Sequence, residues 1–308
     1  MSKIAFIFPG QGAQVCGMGQ DFYEQTETGR KVFDTASEIL GFSMPELCFE
    51  KNDRLDITEY TQPAMVTASL AMMKVLMEQT GIQPDAAAGL SLGEYPAMAA
   101  AGVMSAEDAI RTVRERGILM QEAVPAGIGA MAAVLAMDAE EIEKVIAPIE
   151  GVQIANYNCP GQIVISGKKE AVDEAAEKLK EAGAKRVIPL NVSGPFHSKM
   201  LTEAGEKLGK VLDTVEIHKP AIPYAANVTA EYVTEAEDVK PLLERQVSSS
   251  VRWEQTMRMM LADGVDTFIE IGPGKTLAGF MKKIDRSVRV INIEKLEDID
   301  KVKEALGC

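Results

Sequence analysis

Histidine is scarce in this chain: there are 2 among 308 residues, with 4 cysteines and 1 tryptophan. Two histidines leave no HExxH or paired-histidine site, and Cys16, Cys48, Cys159 and Cys308 show no C-x-x-C spacing. Neither a metal centre nor a disulfide scaffold is therefore expected, and a reducing cytoplasm is the matching compartment. No apolar run reaches the roughly 18–20 residues of a membrane span. The N-terminal segment, Met1 to Pro9, is too short for the apolar region of a signal peptide and reads as a buried first strand. Basic residues are outnumbered, with 32 Lys and Arg against 46 Asp and Glu and a net charge of −14. That balance argues against wrapping nucleic acid, whose phosphates need a basic surface. An acidic partner then requires a local basic patch. Low-complexity tracts and internal repeats are missing too.

Three zones follow one another along the chain. Residues 1 to about 124 alternate short apolar runs with long helical patterns, the rhythm of an α/β domain. Residues 127–195 change rhythm. A strand is expected over Ala130–Met137, and a helix over Asp138–Ile149 with Asp138 as N-cap. Strands over Val152–Tyr157 and Gln162–Gly167 are separated by Asn-Cys-Pro-Gly turn chemistry. A helix over Lys169–Ala182 is closed by Gly183, and a last strand spans Arg186–Val192. The order β-α-β-β-α-β is that of ferredoxin-like domains. From residue 196 the first rhythm returns, with a strand over Thr267–Ile271 running into Gly272-Pro273-Gly274. The expected organisation is a large α/β domain (1–126 and 196–308) carrying a small ferredoxin-like insert (127–195).

Two nucleotide motifs fail on spacing. Gly10-Gln11-Gly12 lacks the third glycine of a dinucleotide fingerprint, where Val15 stands, and Gly274-Lys275-Thr276 lacks the first glycine of a P-loop, where Ile269 stands. A third pattern fits. Gly89-Leu90-Ser91-Leu92-Gly93 is a G-x-S-x-G sequence between a small-residue run, Asp85–Gly89, and a strong helix former from Glu94 to Ala101. Such a turn exposes a serine Oγ, and the next residue can offer its N–H to an oxyanion; a plain tight turn is the competing reading. Serine needs a general base. His197 follows a strand in a Gly-Pro loop, whereas His218 lies among charges before Pro220 and reads as a solvated strand-edge residue. The candidate pair is Ser91 and His197.

Blocks in a consistent order carry a resemblance over nearly the whole length. They are Phe8-Pro-Gly-Gln-Gly-Ala-Gln14, Thr61-Gln-Pro-Ala64, Gly89–Tyr95, Arg116-Gly117 with Met120-Gln121, Gly194-Pro-Phe-His-Ser198, Asn227-Val228, Gln246 with Val251-Arg-Trp253, and Ile271–Gly274. The chain resembles the malonyl-CoA:acyl carrier protein transacylases, the acyltransferase family of fatty acid and polyketide synthesis. One departure is Leu90, where the family usually has histidine; it alters packing or polarity beside the serine, not the base. The resemblance implies an α/β-hydrolase-like large domain and a covalent malonyl-serine on Ser91, formed from malonyl-CoA and passed to acyl carrier protein. His197 would be the base, oriented by the main-chain carbonyl of Gln246. The N–H groups of Gln11 and Leu92 would form the oxyanion hole, though the Gln11 loop also reads as a plain strand-end turn. Phe196 would set acyl selectivity by crowding an α-methyl branch. No resident cofactor is implied, since CoA is a substrate handle, and family members commonly act as monomers.

Malonyl carries a carboxylate, and Arg116 matches the family's carboxylate-binding arginine. Sequence periodicity agrees. On a helix beginning near Ser105, with Asp108 as capping partner, Ala109, Val113, Arg116 and Met120 share one face, so Arg116 points inward. An internal salt bridge is the competing reading. Arg111, with Asp108, Glu115 and Glu122, looks solvated. For the acidic carrier, Lys275, Lys282, Lys283 and Arg286 flank an apolar stripe of Leu277, Phe280, Met281 and Ile284, which leaves the basic groups outward. They are a docking patch or simply a solvated helix face. A serine thioesterase or hydrolase is the rival activity, and supply of a polyketide pathway the rival role.

Overall fold

Side chains of the first strand, β1 (Lys3–Phe8), alternate between two cores. Phe6 and Phe8 join one apolar cluster and Ala5 and Ile7 another, all without exposure. A strand with period 2 and both faces buried belongs in the middle of a sheet covered on both sides, and β1 is there. The computed structural model describes residues 2–125, 127–192 and 194–307. Met1, Ala126, Ser193 and Cys308 lie outside the described residues, and with them the expected domain limit at 126 and the fourth cysteine. Cys16, Cys48 and Cys159 are free thiols.

The chain is a mixed α/β protein, with two sheets among the described residues. The remaining strands are β2 (Ala86–Gly89), β3 (Gly129–Leu135), β4 (Val152–Cys159), β5 (Gln162–Lys168), β6 (Arg186–Pro189), β7 (Tyr224–Ala226), β8 (Glu231–Val233), β9 (Val265–Ile271) and β10 (Arg289–Ile293). Six form a sheet in the order β10-β9-β1-β2-β7-β8, parallel except for the edge strand β8. Its register pairs Phe8 with Gly89 and Ile7 with Glu270. The loops leaving β1, β2 and β9 therefore open at one edge, the carboxyl end where parallel sheets bind ligands.

The other four strands form an antiparallel sheet in the order β4-β5-β3-β6. Helices Ala139–Ile146 and Lys169–Glu181 cover one face, where Val134, Ile142, Ile165 and Leu179 pack together. Met131, Ala133 and Val164 on the opposite face join the core of the larger body. The four-stranded sheet is also tied to the segment between helices Ala236–Gln246 and Trp253–Ala262. Beside β4, Val251 accepts from the Tyr157 N–H (2.9 Å) and donates to Ala155 O (2.8 Å), and Ser250 Oγ donates to Ile154 O (2.6 Å).

Three local expectations need correction. The last strand ends at Pro189 rather than Val192, because proline has no N–H to continue a ladder; Val192 is half-exposed. The helix expected to reach Ile149 stops at Ile146, before Pro148, and Asp138 occupies its N-cap position without a side-chain cap bond. His218 is exposed as expected but lies in irregular chain, its N–H donating to Val103 O (2.8 Å). Among the described residues, no helix is long and apolar enough to cross a membrane.

The helix Thr58–Thr80 is buried along most of its length despite an internal Pro63. Proline leaves the carbonyl four residues earlier without its helical donor. That carbonyl, Glu59 O, accepts from Arg114 Nη1 at 2.6 Å, on the neighbouring helix Ala106–Glu122. The bond locks together the two helices that carry Gln62 and Arg116.

Candidate active site

Ser91 sits on a sharp turn between β2 and the helix Glu94–Ala100, at φ 51°. A left-handed non-glycine residue costs about 1–3 kcal/mol and persists only where its surroundings impose it. Here the surroundings are explicit. Asn227, after β7, accepts from the Ser91 N–H (2.6 Å) and donates from Nδ2 to Gly89 O (2.7 Å), clamping the turn on both sides. Gly89 and Gly93 let the backbone close: a Cβ on Gly89 would strike Gly93 O, and one on Gly93 would strike Phe8 O.

The serine Oγ lies 2.6 Å from His197 Nε2. His197 Nδ1 is 2.8 Å from the main-chain oxygen of Gln246, at the end of helix Ala236–Gln246. A carbonyl can only accept, so Nδ1 carries the proton and Nε2 faces Ser91 as an acceptor. Burial, and then the positive charge of Arg116, lower His197 from its ordinary 6.5 to about 4. The imidazole is therefore neutral at neutral pH, the form a general base needs.

Arg116 is 1% exposed, and burial pushes its pKa down. The Ser105 cap that starts its helix is present, with Ser105 Oγ accepting from the Asp108 N–H at 2.9 Å. Arg111 pairs with Asp108 at the surface. Arg116 Nη1 donates to Gln62 Oε1 (2.8 Å) and Nη2 to Gln246 Oε1 (3.0 Å), both neutral amides; among the described residues no carboxylate forms a salt bridge with the guanidinium, and its buried Nε has no partner. Nη2 also lies 3.4 Å from Ser91 Oγ. Glu94 is buried one step further off, accepting from Gln246 Nε2 (2.7 Å) and the Asn227 N–H (3.1 Å). Burial raises its pKa to about 7 against these hydrogen bonds and the Arg116 charge.

A cavity of about 740 Å³ brings Ser91, His197, Arg116, Gln11, Leu92 and Phe196 together. Gln11 and Leu92 come from the loops after β1 and β2, which the Leu90 N–H ties together by donating to Phe8 O (3.0 Å). Leu90 lines the same cavity and packs on the core beneath the sheet. Gln246 lies behind the cavity wall and reaches the site through the bonds above. Lys275, Lys282, Lys283 and Arg286 are exposed, while Leu277, Phe280 and Met281 of their helix are buried. Thr276 and Phe280 of that helix line the cavity, whereas none of the four basic residues does; Lys282 and Arg286 line a separate surface depression with Asp285, Val288 and Val290.

Four participants had no role assigned from sequence. Gln62, Glu94 and Asn227 stand inside recognisable blocks, but nothing local signals their partners 54 to 152 residues away. Gln153, whose side chain bonds the main chain of His197 (2.9 Å), gave no signal.

Comparison with known proteins places this geometry. The acyl transferase domain family matches residues 5–302. A malonyl CoA-acyl carrier protein transacylase of Bacillus subtilis is 50% identical over 305 residues, covering 97% of this chain and 96% of that protein. The crystal structure of a malonyl CoA-acyl carrier protein transacylase from Clostridium perfringens superposes with a TM-score of 0.96 at 44% identity, covering 99% and 98% of the two chains. A malonyl-transacylase solved in complex with its type II polyketide acyl-carrier protein gives a TM-score of 0.96 at 38% identity, covering 99% and 100%.

In ¹⁵N-histidine NMR spectra, His197 should stay neutral, protonated on Nδ1, as the pH falls through the ordinary histidine range, and titrate near 4. A midpoint at 6.5 would show that the ring is not desolvated.

Proposed function

The chain belongs to the acyl transferase domain family, and on that premise we infer that it moves a malonyl group from malonyl-CoA to the phosphopantetheine thiol of an acyl carrier protein. It is an S-malonyltransferase that supplies fatty acid synthesis. The observation that carries the chemistry is one oxygen, Ser91 Oγ, held 2.6 Å from a neutral imidazole and 3.4 Å from a guanidinium without a carboxylate partner.

The reaction runs in two halves. Ser91 Oγ attacks the thioester carbonyl while His197 Nε2 takes its proton. The Gln246 carbonyl holds the opposite ring proton, the orienting task of the third member of a triad performed without a second charge. The main-chain N–H groups of Gln11 and Leu92 stabilise the oxyanion. The tetrahedral intermediate collapses, the C–S bond breaks, and His197 returns the proton to the CoA thiolate. The carrier thiol then gives its proton to His197 and attacks the malonyl ester, the C–O bond to Ser91 breaks, and His197 returns that proton to Ser91 Oγ. No resident cofactor takes part.

Arg116 holds the malonyl carboxylate through paired hydrogen bonds. Its present partners support this role, because neutral amides orient a guanidinium without neutralising it. The incoming carboxylate also offsets the charge that depresses His197, so the base strengthens as substrate arrives. Phe196, nearly buried in the cavity wall, crowds an α-methyl branch, a discrimination worth about 1–3 kcal/mol. Residues 1–126 and 196–308 act as an α/β-hydrolase-like catalytic domain and 127–195 as a ferredoxin-like insert; the strand orders of the two sheets support that division. The chain works as a monomer, as family members commonly do. Lys275, Lys282, Lys283 and Arg286 steer the acidic carrier to the cavity.

Intact mass measurement after mixing with malonyl-CoA should show a malonyl ester that Ser91→Ala lacks. The ester should hydrolyse slowly and clear rapidly once carrier is added; equal clearance with and without carrier would make the protein a hydrolase. Arg116→Ala should lose about 2–4 kcal/mol of transition-state binding for malonyl transfer while sparing acetyl transfer. Equal loss for both would remove Arg116 from carboxylate recognition. Replacing Lys282 and Lys283 by Glu should raise KM for the carrier and leave that for malonyl-CoA in place, and an unchanged carrier KM would dismiss the patch.

A further inference from the structure

His197 is held at both ring nitrogens, but a ring is only as fixed as the main chain that carries it. That main chain is unfavourable. His197 has φ 56° and lies in an irregular segment between β6 and the short helical turn Lys199–Leu201. Left-handed geometry at a residue with a Cβ needs external support.

The support comes from the four-stranded sheet. Gln153, half-buried on β4, donates from Nε2 to His197 O (2.9 Å) and to Ser248 O (3.3 Å), and its Oε1 accepts from the Lys199 N–H (3.0 Å). One amide thus grips the histidine segment on either side of residue 198. The same amide grips the chain two residues beyond Gln246, whose carbonyl receives the Nδ1 proton. β4 binds that second segment again at Ser250 and Val251.

We propose that Gln153 is a positioning residue for the general base: it sets the spacing between the His197 main chain and the Gln246 carbonyl, so that Nε2 points at Ser91 Oγ. The proposal rests on the reading of Ser91 and His197 as nucleophile and base. Gln153 is not among the residues lining the cavity, so it acts through His197 and not on substrate. The task needs a donor and an acceptor on one side chain, which an amide supplies and a carboxylate or thioether does not. The inserted sheet thereby takes part in proton transfer without contacting the reacting atoms.

Single-turnover acylation of Ser91 by malonyl-CoA, followed by quench and intact mass, tests this in wild type, Gln153→Glu and Gln153→Met. Gln153→Glu keeps an acceptor for the Lys199 N–H but turns a carboxylate oxygen toward two carbonyls. Gln153→Met removes both functions at similar length. Both variants should acylate about 10- to 100-fold more slowly at saturating malonyl-CoA, the scale of a misplaced catalytic group. The half-saturating concentration should stay within about twofold of wild type, because cavity contacts are intact. A general structural role would instead spare Gln153→Glu, whose loop bond survives, or weaken malonyl-CoA binding along with the rate. Wild-type acylation by Gln153→Glu, or a loss confined to malonyl-CoA binding, overturns the proposal and leaves the serine mechanism standing. Should wild type itself take no malonyl group, both fall. Gln153→Glu carries the test if Gln153→Met folds poorly.

Discussion

Gln246 connects His197, Arg116 and Glu94 through one residue. Its main-chain oxygen fixes the His197 tautomer, and its side-chain Oε1 accepts from Arg116. Its Nε2 donates to Glu94 and to Ser91 O (3.1 Å). Arg116 fixes the orientation of that amide, since a guanidinium can only donate and must meet Oε1. Nε2 is thereby turned toward Glu94, and the Gln246 amide stands between Arg116 and Glu94. Direct pairing of the two would satisfy both charges and leave no net positive charge for a substrate carboxylate.

The arrangement is costly, and the sheet edge bears the cost. Ser91 and His197 both adopt left-handed backbone, and Arg116, Glu94 and His197 are all buried. Each strained residue has a dedicated amide side chain on its main chain: Asn227 at Ser91 and Gln153 at His197. Asn227 comes from the loop after β7, beside β2 in the parallel sheet, and Gln153 from β4 of the antiparallel sheet. Ser91 is therefore held from one sheet and His197 from the other. The 2.6 Å contact between them depends on the two sheets keeping their mutual position, which the β4 contacts to Ser250 and Val251 help to fix.

What could be seen in the sequence was what depends on local spacing. The G-x-S-x-G turn, the Ser105 cap, the inward face bearing Arg116 and the outward Lys282 and Lys283 follow from periods of two to four residues. Histidine scarcity reduced the candidate bases to two, and the structure sets His197 against Ser91 and leaves His218 at the surface. The alternation of elements over 127–195 was legible as well, apart from where Pro148 and Pro189 cut two of them short. The amide partners were not. Gln62, Gln153 and Asn227 have no local signature, because a neutral amide is common on surfaces and its partner is chosen by tertiary approach. The same applies to the choice between a salt bridge and an open guanidinium at Arg116. Periodicity shows that the side chain goes inward, but only the fold shows what it meets there.

The neutral character of Gln62 and Gln246 has a further physical consequence. A carboxylate at either position would pair with Arg116 at short range, and breaking a buried ion pair is far more costly than exchanging a neutral hydrogen bond. A substrate carboxylate would then have to displace a protein carboxylate or share the guanidinium with it. Two amides avoid that competition while still holding the guanidinium plane against the cavity, where Tyr95 also faces it at 5.7 Å. The same uncompensated charge acts on His197, where it adds to the larger effect of burial in keeping the imidazole unprotonated. The absence of a carboxylate partner within the amide cradle of Arg116 thus leaves its charge open to the cavity and lets it reinforce what burial already does to His197.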